Sequence, residues 1–255
     1  MSSYLKAENL KLKRTMTKKL VLIFPVFALF FAFFLSGVYF QLNAFNWWYM
    51  LMLPGSVAVI CALVNQKEEK KIKYRAVFSM PIDLKKVWVS KVILIAAYVL
   101  FSCILLALGV GILGKYALPR IISRFALNSI VTIPGINAIT AAIVIVITSL
   151  WQIPLCLFLA KKFGFFVPII LNTAVGIDLN GAMAVKSIWW LCPYSWTSRL
   201  MCPMLGILPN GQLPVGKDTI MLRPGVIPVG IVLSILLFAV LLTVTSSWFK
   251  NQEVV

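Results

Sequence analysis

Six long apolar runs, parted by short polar segments, divide this chain of 255 residues. About 20 apolar residues wound as a helix rise ~30 Å, the thickness of a bilayer's hydrocarbon core. Lipid offers the backbone no hydrogen-bond partner, so each run must satisfy its own amides, and helices do that. We place the spans at Leu20–Phe40, Trp47–Val64, Val92–Leu113, Ile136–Ala160, Phe165–Val185 and Val226–Trp248. The expected fold is all-α: one polytopic membrane domain over residues 1–255, with six transmembrane helices. The second span is short and holds Pro54-Gly55, so a kink is expected there. The fourth carries Gln152 and Pro154, which a span tolerates when neighbouring helices satisfy the freed carbonyl.

Composition agrees. The chain is 61% apolar and only 12% charged, against roughly 45–50% apolar for a soluble domain. The formal charge of +17 could suggest nucleic acid. Here, however, the cations lie in short runs between apolar spans, the pattern of the positive-inside rule, and no nucleic-acid partner is expected. With the N-terminus inside, segments 1–19, 65–91, 161–164 and 249–255 hold 17 of the 24 Lys and Arg residues. Both termini are therefore expected in the cytoplasm, in a multi-pass protein of the cell membrane surrounded by lipid.

The residues exclude several chemistries. There is no histidine, hence no His-based catalysis or metal site. Glu68 and Glu69 are adjacent and do not converge on one helical face. Ser102 and Ser149 lie deep in spans with no histidine as base. Neither catalytic nor metal-binding residues are expected. The run Gly109-Val110-Gly111-Ile112-Leu113-Gly114-Lys115 fits two nucleotide-binding patterns. Yet Tyr116 stands where a phosphate loop needs Ser or Thr, and no strand–turn–helix unit surrounds it. No cofactor is expected on this chain. Of the five cysteines, Cys192 and Cys202 share one outer segment. They form a disulfide if that segment lies outside the cell, or remain two free thiols.

Residues 1–19 are polar and basic, with Leu5, Leu12 and Met16 on one helical face, and read as an interfacial helix or a basic tail. The large outer segment 186–225 is rich in aromatics. Ser187–Met204 is expected to form helical or re-entrant structure in the outer leaflet before the last span, followed by turns at Pro209-Asn210-Gly211 and Val215–Asp218. Asp178 is the one acid inside a span, beside Asn172 and Asn180. An intramembrane charge costs ~2.5–3.5 kcal/mol on insertion scales, so Asp178 is either a site for a cationic substrate or a hydrated residue near the outer surface. Trp47, Trp48, Trp189, Trp190 and Trp196 form either an aromatic belt or an entry surface for an amphipathic ligand.

The inner segment 65–91 carries eight of the basic residues and three of the seven acids. Within it Met80, Leu84, Val87 and Trp88 make one apolar stripe at helical spacing. Pro81 and Asp83 suit a helix start, with Ser79 or Asp83 as cap. Lys85 and Lys86 face away from the stripe. A short amphipathic helix against the cytoplasmic face, leading into the third span, is expected. Anchoring to anionic lipid would explain its lysines but not its proline and acid.

Met-Pro-Ile-Asp-Leu-Lys-Lys-Val-Trp-Val-Ser-Lys (80–91) resembles the coupling-helix region of six-span ABC exporter permeases. Leu10-Lys11-Leu12-Lys13-Arg14-Thr15 resembles their membrane-flanking helix. More narrowly, Asn46-Trp47-Trp48-Tyr49, Leu53-Pro54-Gly55 and Lys73-Tyr74-Arg75-Ala76 resemble lantibiotic-immunity permeases of the mutacin and epidermin type. The similarity is clearest over residues 1–95. It implies a permease subunit in a Gram-positive cell membrane that expels a lantibiotic or similar cationic peptide. It also implies a cytosolic ABC ATPase dimer, which binds ATP and Mg²⁺, and a second, related permease as heterodimer partner. Asp83, Lys85 and Lys86 would then meet the ATPase, with Leu84 and Trp88 seating the coupling segment Met80, Pro81, Ile82 to Lys86. Export of another drug, lipid or polysaccharide is the rival within transport. A membrane scaffold or peptide sensor is the rival outside it.

Overall fold

The computed structural model describes residues 1–13, 15–72, 82–117, 119–120 and 132–252, and of residues 36, 68–72, 117 and 217 the backbone alone. The described residues form helices and connecting turns without a strand. Six helices are long and apolar enough to cross a membrane: Met16–Leu35, Gly37–Lys67, Leu84–Tyr116, Gly135–Phe163, Phe166–Ala184 and Val226–Lys250. With six crossings, residues 1 and 252 lie on one side, the terminal face. The opposite side is the far face.

The second span differs most from expectation. It starts at Gly37, not Trp47. Gln41, Asn43 and Asn46 make residues 37–46 read as a loop, but the bundle satisfies Gln41, and Asn46 finds a partner one turn on in its own helix. Gln41 Nε2 donates to the Val110 carbonyl at 3.4 Å, and its Oε1 accepts from the Ile133 amide at 2.6 Å. The Tyr49 hydroxyl donates to Asn46 Oδ1 at 2.7 Å. The first two spans are joined by a tight turn at Gly37, whose φ of 44° suits a residue without Cβ.

The second and fourth spans form the buried centre, most of each being enclosed by protein. The other four present apolar flanks outward, for example Phe30, Ile104, Phe166 and Leu236. Lipid is the solvent there, so these side chains need no protein cover.

Proline shapes the second span. A wide π turn, Trp48–Met52, directly precedes Pro54. Proline lacks the amide that would bond four residues back, and its ring crowds that carbonyl; a widened turn relieves both. A second π turn, Leu171–Val175, follows Pro168 in the fifth span. The two turns face each other. Asn172 Nδ2 donates to the Pro54 carbonyl at 2.8 Å, and Asn180 Nδ2 to the Tyr49 carbonyl at 3.3 Å.

The segment after the fifth span folds back into the bundle. Tyr194 reaches Asn172 with its hydroxyl at 3.0 Å, whereas Ser198 bonds Asn180, two turns nearer the far face. The helix Pro193–Leu205 therefore starts deep and climbs outward. This is the re-entrant element expected in the outer leaflet, and it is almost wholly buried. Cys192 and Cys202 sit at its two ends. Ten helical residues separate them by ~15 Å, beyond disulfide reach. Both are free thiols.

The nucleotide-like glycine run is a packing device. A Cβ on Gly109 would run into the Leu29 side chain of the first span, and one on Gly114 into Gln41. Gly111 faces open space.

The N-terminal helix also departs from expectation. It spans Ser2–Lys11 and packs along the third span, not along a Leu5–Leu12–Met16 face. Leu12 is buried beyond its end, while Met16 is exposed where the first span begins. Polar contacts fix it: the Asp83 amide donates to the Tyr4 hydroxyl at 3.4 Å, and Tyr98 donates to Asn9 Oδ1 at 3.2 Å. Lys11 pairs with the buried Glu8 at 2.7 Å.

Candidate functional site

On the terminal face the third span outruns the membrane. Its 33 residues rise ~50 Å, about 20 Å more than the hydrocarbon core. The surplus includes Leu84–Lys91. Asp83 caps this end, its carboxylate accepting from the amides of Lys85 at 3.0 Å and Lys86 at 3.3 Å. The Lys86 ammonium lies 3.3 Å from the other carboxylate oxygen. Slight desolvation pushes the Asp83 carboxyl up. The Lys86 amide and ammonium and the Lys85 amide outweigh it and hold the group below its ordinary value. Asp83, Lys85 and Lys86 are exposed.

Below this exposed tip the helix is anchored. Trp88 is buried and donates from Nε1 to Thr245 Oγ1 of the last span at 3.0 Å. Its ring lies 4.7 Å from that of Phe249 and 6.2 Å from that of Trp248. The ammonium groups of Lys91 and Lys161 stand 5.5 and 5.4 Å from the Phe249 ring centre. Third, fourth and last spans thus share one aromatic knot. The apolar stripe expected from the sequence is real over Leu84, Val87 and Trp88. It belongs to the third span itself, without a break after it. Ile82 precedes the cap; Met80 and Pro81, like the expected cap Ser79, lie outside the described residues.

On the far face the expected aromatic surface is not gathered. Trp48 is buried, with Nε1 3.4 Å from Cys103 Sγ. Trp47 stacks edge-on against Phe31 at 5.0 Å. On the other side of the bundle Trp196 is buried and bonds the Trp190 carbonyl at 3.0 Å, and Trp189 is buried beside it. Of these five, Trp190 alone is largely exposed and Trp47 is half-buried.

A different concavity stands there. A pocket of about 400 Å³ lies between the second and fifth spans and the chain beyond the re-entrant helix. Met50, Gly181, Leu208, Ile220 and Met221 give it apolar walls, and Asp218 supplies a carboxylate. Its outer wall is a short 3-10 helix, Gly216–Leu222. The buried Arg199 holds that wall, donating from Nη1 to the Met221 carbonyl at 2.9 Å. Asp178 is exposed on the fifth span, one turn below Gly181, while Asn172 and Asn180 face inward. Of the two acids of the far half, Asp218 lines the pocket, and Asp178 lies one turn from its Gly181 wall.

Asp218 read as a turn residue in the sequence, and Met50, Gly181 and Arg199 carried no signal of their own. Sorting the seven acids by face would have singled out Asp218 beside Asp178.

A family model described as ABC-2 family transporter protein matches residues 4–179. No curated protein and no solved structure matches the chain.

Proposed function

The chain belongs to the ABC-2 family of transporter proteins, a permease of an ABC transporter, and we propose that its cargo is a lantibiotic or similar cationic antimicrobial peptide. The chain expels that peptide from the membrane of a Gram-positive cell and so confers immunity. A cytosolic ABC ATPase dimer supplies the work, and a second, related permease completes the pore. Both termini face the cytoplasm.

The observation that carries this reading is the far-face pocket. It joins apolar walls to Asp218, with Asp178 one turn below. An amphipathic cationic peptide in the outer leaflet presents the complementary chemistry: an apolar face and ammonium groups. The capped, exposed tip at Asp83 and Leu84 suits the receiving end of a mechanical stroke. Being one piece with the third span and knotted to the last span through Trp88, it transmits a push as rigid-body movement.

The test is protection of whole cells. Expression of the chain with its ATPase should raise the lantibiotic concentration needed to stop growth, and Asp218→Asn with Asp178→Asn should remove most of that gain. Protection unchanged by the double variant would sink the role of the pocket. No protection from the wild type against any lantibiotic would sink the cargo. A C-terminal reporter active only outside the cell would refute the orientation.

A further inference from the structure

A second concavity lies on another side of the molecule. A groove of about 650 Å³ runs between the third and fourth spans and opens to the side. Cys103, Ala107 and Gly111 line it from the third span, and Gly135, Ala138 and Ala142 from the fourth. Its walls are almost wholly apolar. Two polar groups stand at its far-face end, the Lys115 ammonium and the Tyr116 hydroxyl. Lys115 is exposed and makes no ion pair with a carboxylate among the described residues; its Nζ lies 5.6 Å from the Tyr116 ring centre.

We propose that this groove binds an anionic phospholipid of the far leaflet, one acyl chain along the spans and the phosphate at Lys115. Three independent features point to that occupant. The groove lies within the membrane-spanning length of both helices, so the medium at its side opening is lipid. Its depth suffices: from Lys115 to Leu100 the third span rises ~22 Å, more than the ~15 Å of one leaflet, half of a ~30 Å core, so an acyl chain starting at Lys115 meets apolar wall along its whole length. Its charge fits, because the ammonium sits at headgroup depth, where a lysine seeks phosphate. The fourth span also starts at this mouth with no side-chain cap, so its positive dipole end adds to the same field. The site is separate from the Asp218 pocket, whose carboxylate suits a cation.

Lipid retention tests this independently of any peptide. The permease is purified, placed in nanodiscs of mixed phosphatidylglycerol and phosphatidylcholine, and released into native mass spectrometry. The wild type should keep phosphatidylglycerol in several-fold excess over phosphatidylcholine. Lys115→Gln should abolish that excess. Gly111→Leu, whose Cβ meets nothing within 4 Å, should place its side chain in the groove and reduce retention of both lipids. Thermal melting of both variants in phosphatidylcholine discs should match the wild type, which separates lost lipid from lost fold. Equal retention of both lipids by the wild type would overturn the proposal, and so would an excess that survives both substitutions. Displacement of bound phosphatidylglycerol by inorganic phosphate alone would also count against it, since the acyl chain is what the apolar walls hold.

Discussion

Asn172 of the fifth span donates to the carbonyl of Pro54 in the second, at 2.8 Å, and so joins two π turns across the middle of the bundle. The same amide nitrogen reaches Gln152 Oε1 of the fourth span at 3.0 Å, and its Oδ1 accepts from Tyr194 of the re-entrant helix. One buried side chain thus ties four elements together. Each partner is a polar group that lipid could not satisfy.

Asn172→Leu should therefore leave the Pro54 carbonyl, Gln152 and the Tyr194 hydroxyl without their shared partner. Interhelical hydrogen bonds in membranes average ~0.6 kcal/mol and reach ~1.7, so a loss of about 1–2 kcal/mol is expected. Reversible unfolding in mixed micelles measures it. A variant as stable as the wild type would mean that the network closes around the gap.

Trp88→Ala should cost about 3–5 kcal/mol, the usual toll of deleting a buried aromatic. Trp88→Phe keeps the ring stack on Phe249 but loses the bond to Thr245, so about 1 kcal/mol is expected. Pairing Trp88→Phe with Thr245→Val should be less than additive if the hydroxyl bond is the term removed. The same unfolding assay gives all four corners of the cycle.

Gly109→Ala and Gly111→Ala should differ although they lie two residues apart. The first forces Leu29 to move, an overpacking that costs about 1–3 kcal/mol. The second meets open space and should stay within about 0.5 kcal/mol. Adding Leu29→Ala should recover part of the first loss. Equal effects at both positions would contradict a packing role for the glycine run.

The Asp83 cap has a defined pH dependence. Its folded-state carboxyl titrates below the unfolded value of about 3.9. The cap therefore contributes above that value and is lost as pH falls through the lower folded value. Amide exchange at Lys85 and Lys86 in Asp83→Ala should be faster than in the wild type at neutral pH. Corrected for intrinsic rates, the two proteins should converge in acid. Asp83→Ala with Leu84→Arg should also abolish co-purification of the ATPase. Unchanged co-purification would remove this tip from the docking surface.

The six spans were legible because lipid demands long uninterrupted apolar runs, and nothing else in a chain imitates them. The second span lost its first turns to the reading because Gln41, Asn43 and Asn46 look like loop residues. Only the tertiary partners of Gln41, at Val110 and Ile133, together with the Tyr49 hydroxyl one turn on from Asn46, make that stretch acceptable inside a bundle. The cap at Asp83 was legible too, since capping is local chemistry. The far-face pocket was not. Met50, Gly181, Asp218 and Met221 are scattered over much of the chain, and they meet only because a re-entrant helix and the buried Arg199 carry the later segment back. The tryptophans misled for the converse reason: composition marks them for a membrane surface, but Trp48, Trp189 and Trp196 fill the interior.

The turn at Gly37 bears on how the chain is made. Spans one and two are joined without any stretch that must be threaded through the translocation channel by itself. Helices joined so closely are expected to enter the bilayer together as a hairpin, so halting synthesis after the first span should strand a poorly inserted product, and halting after the second should not.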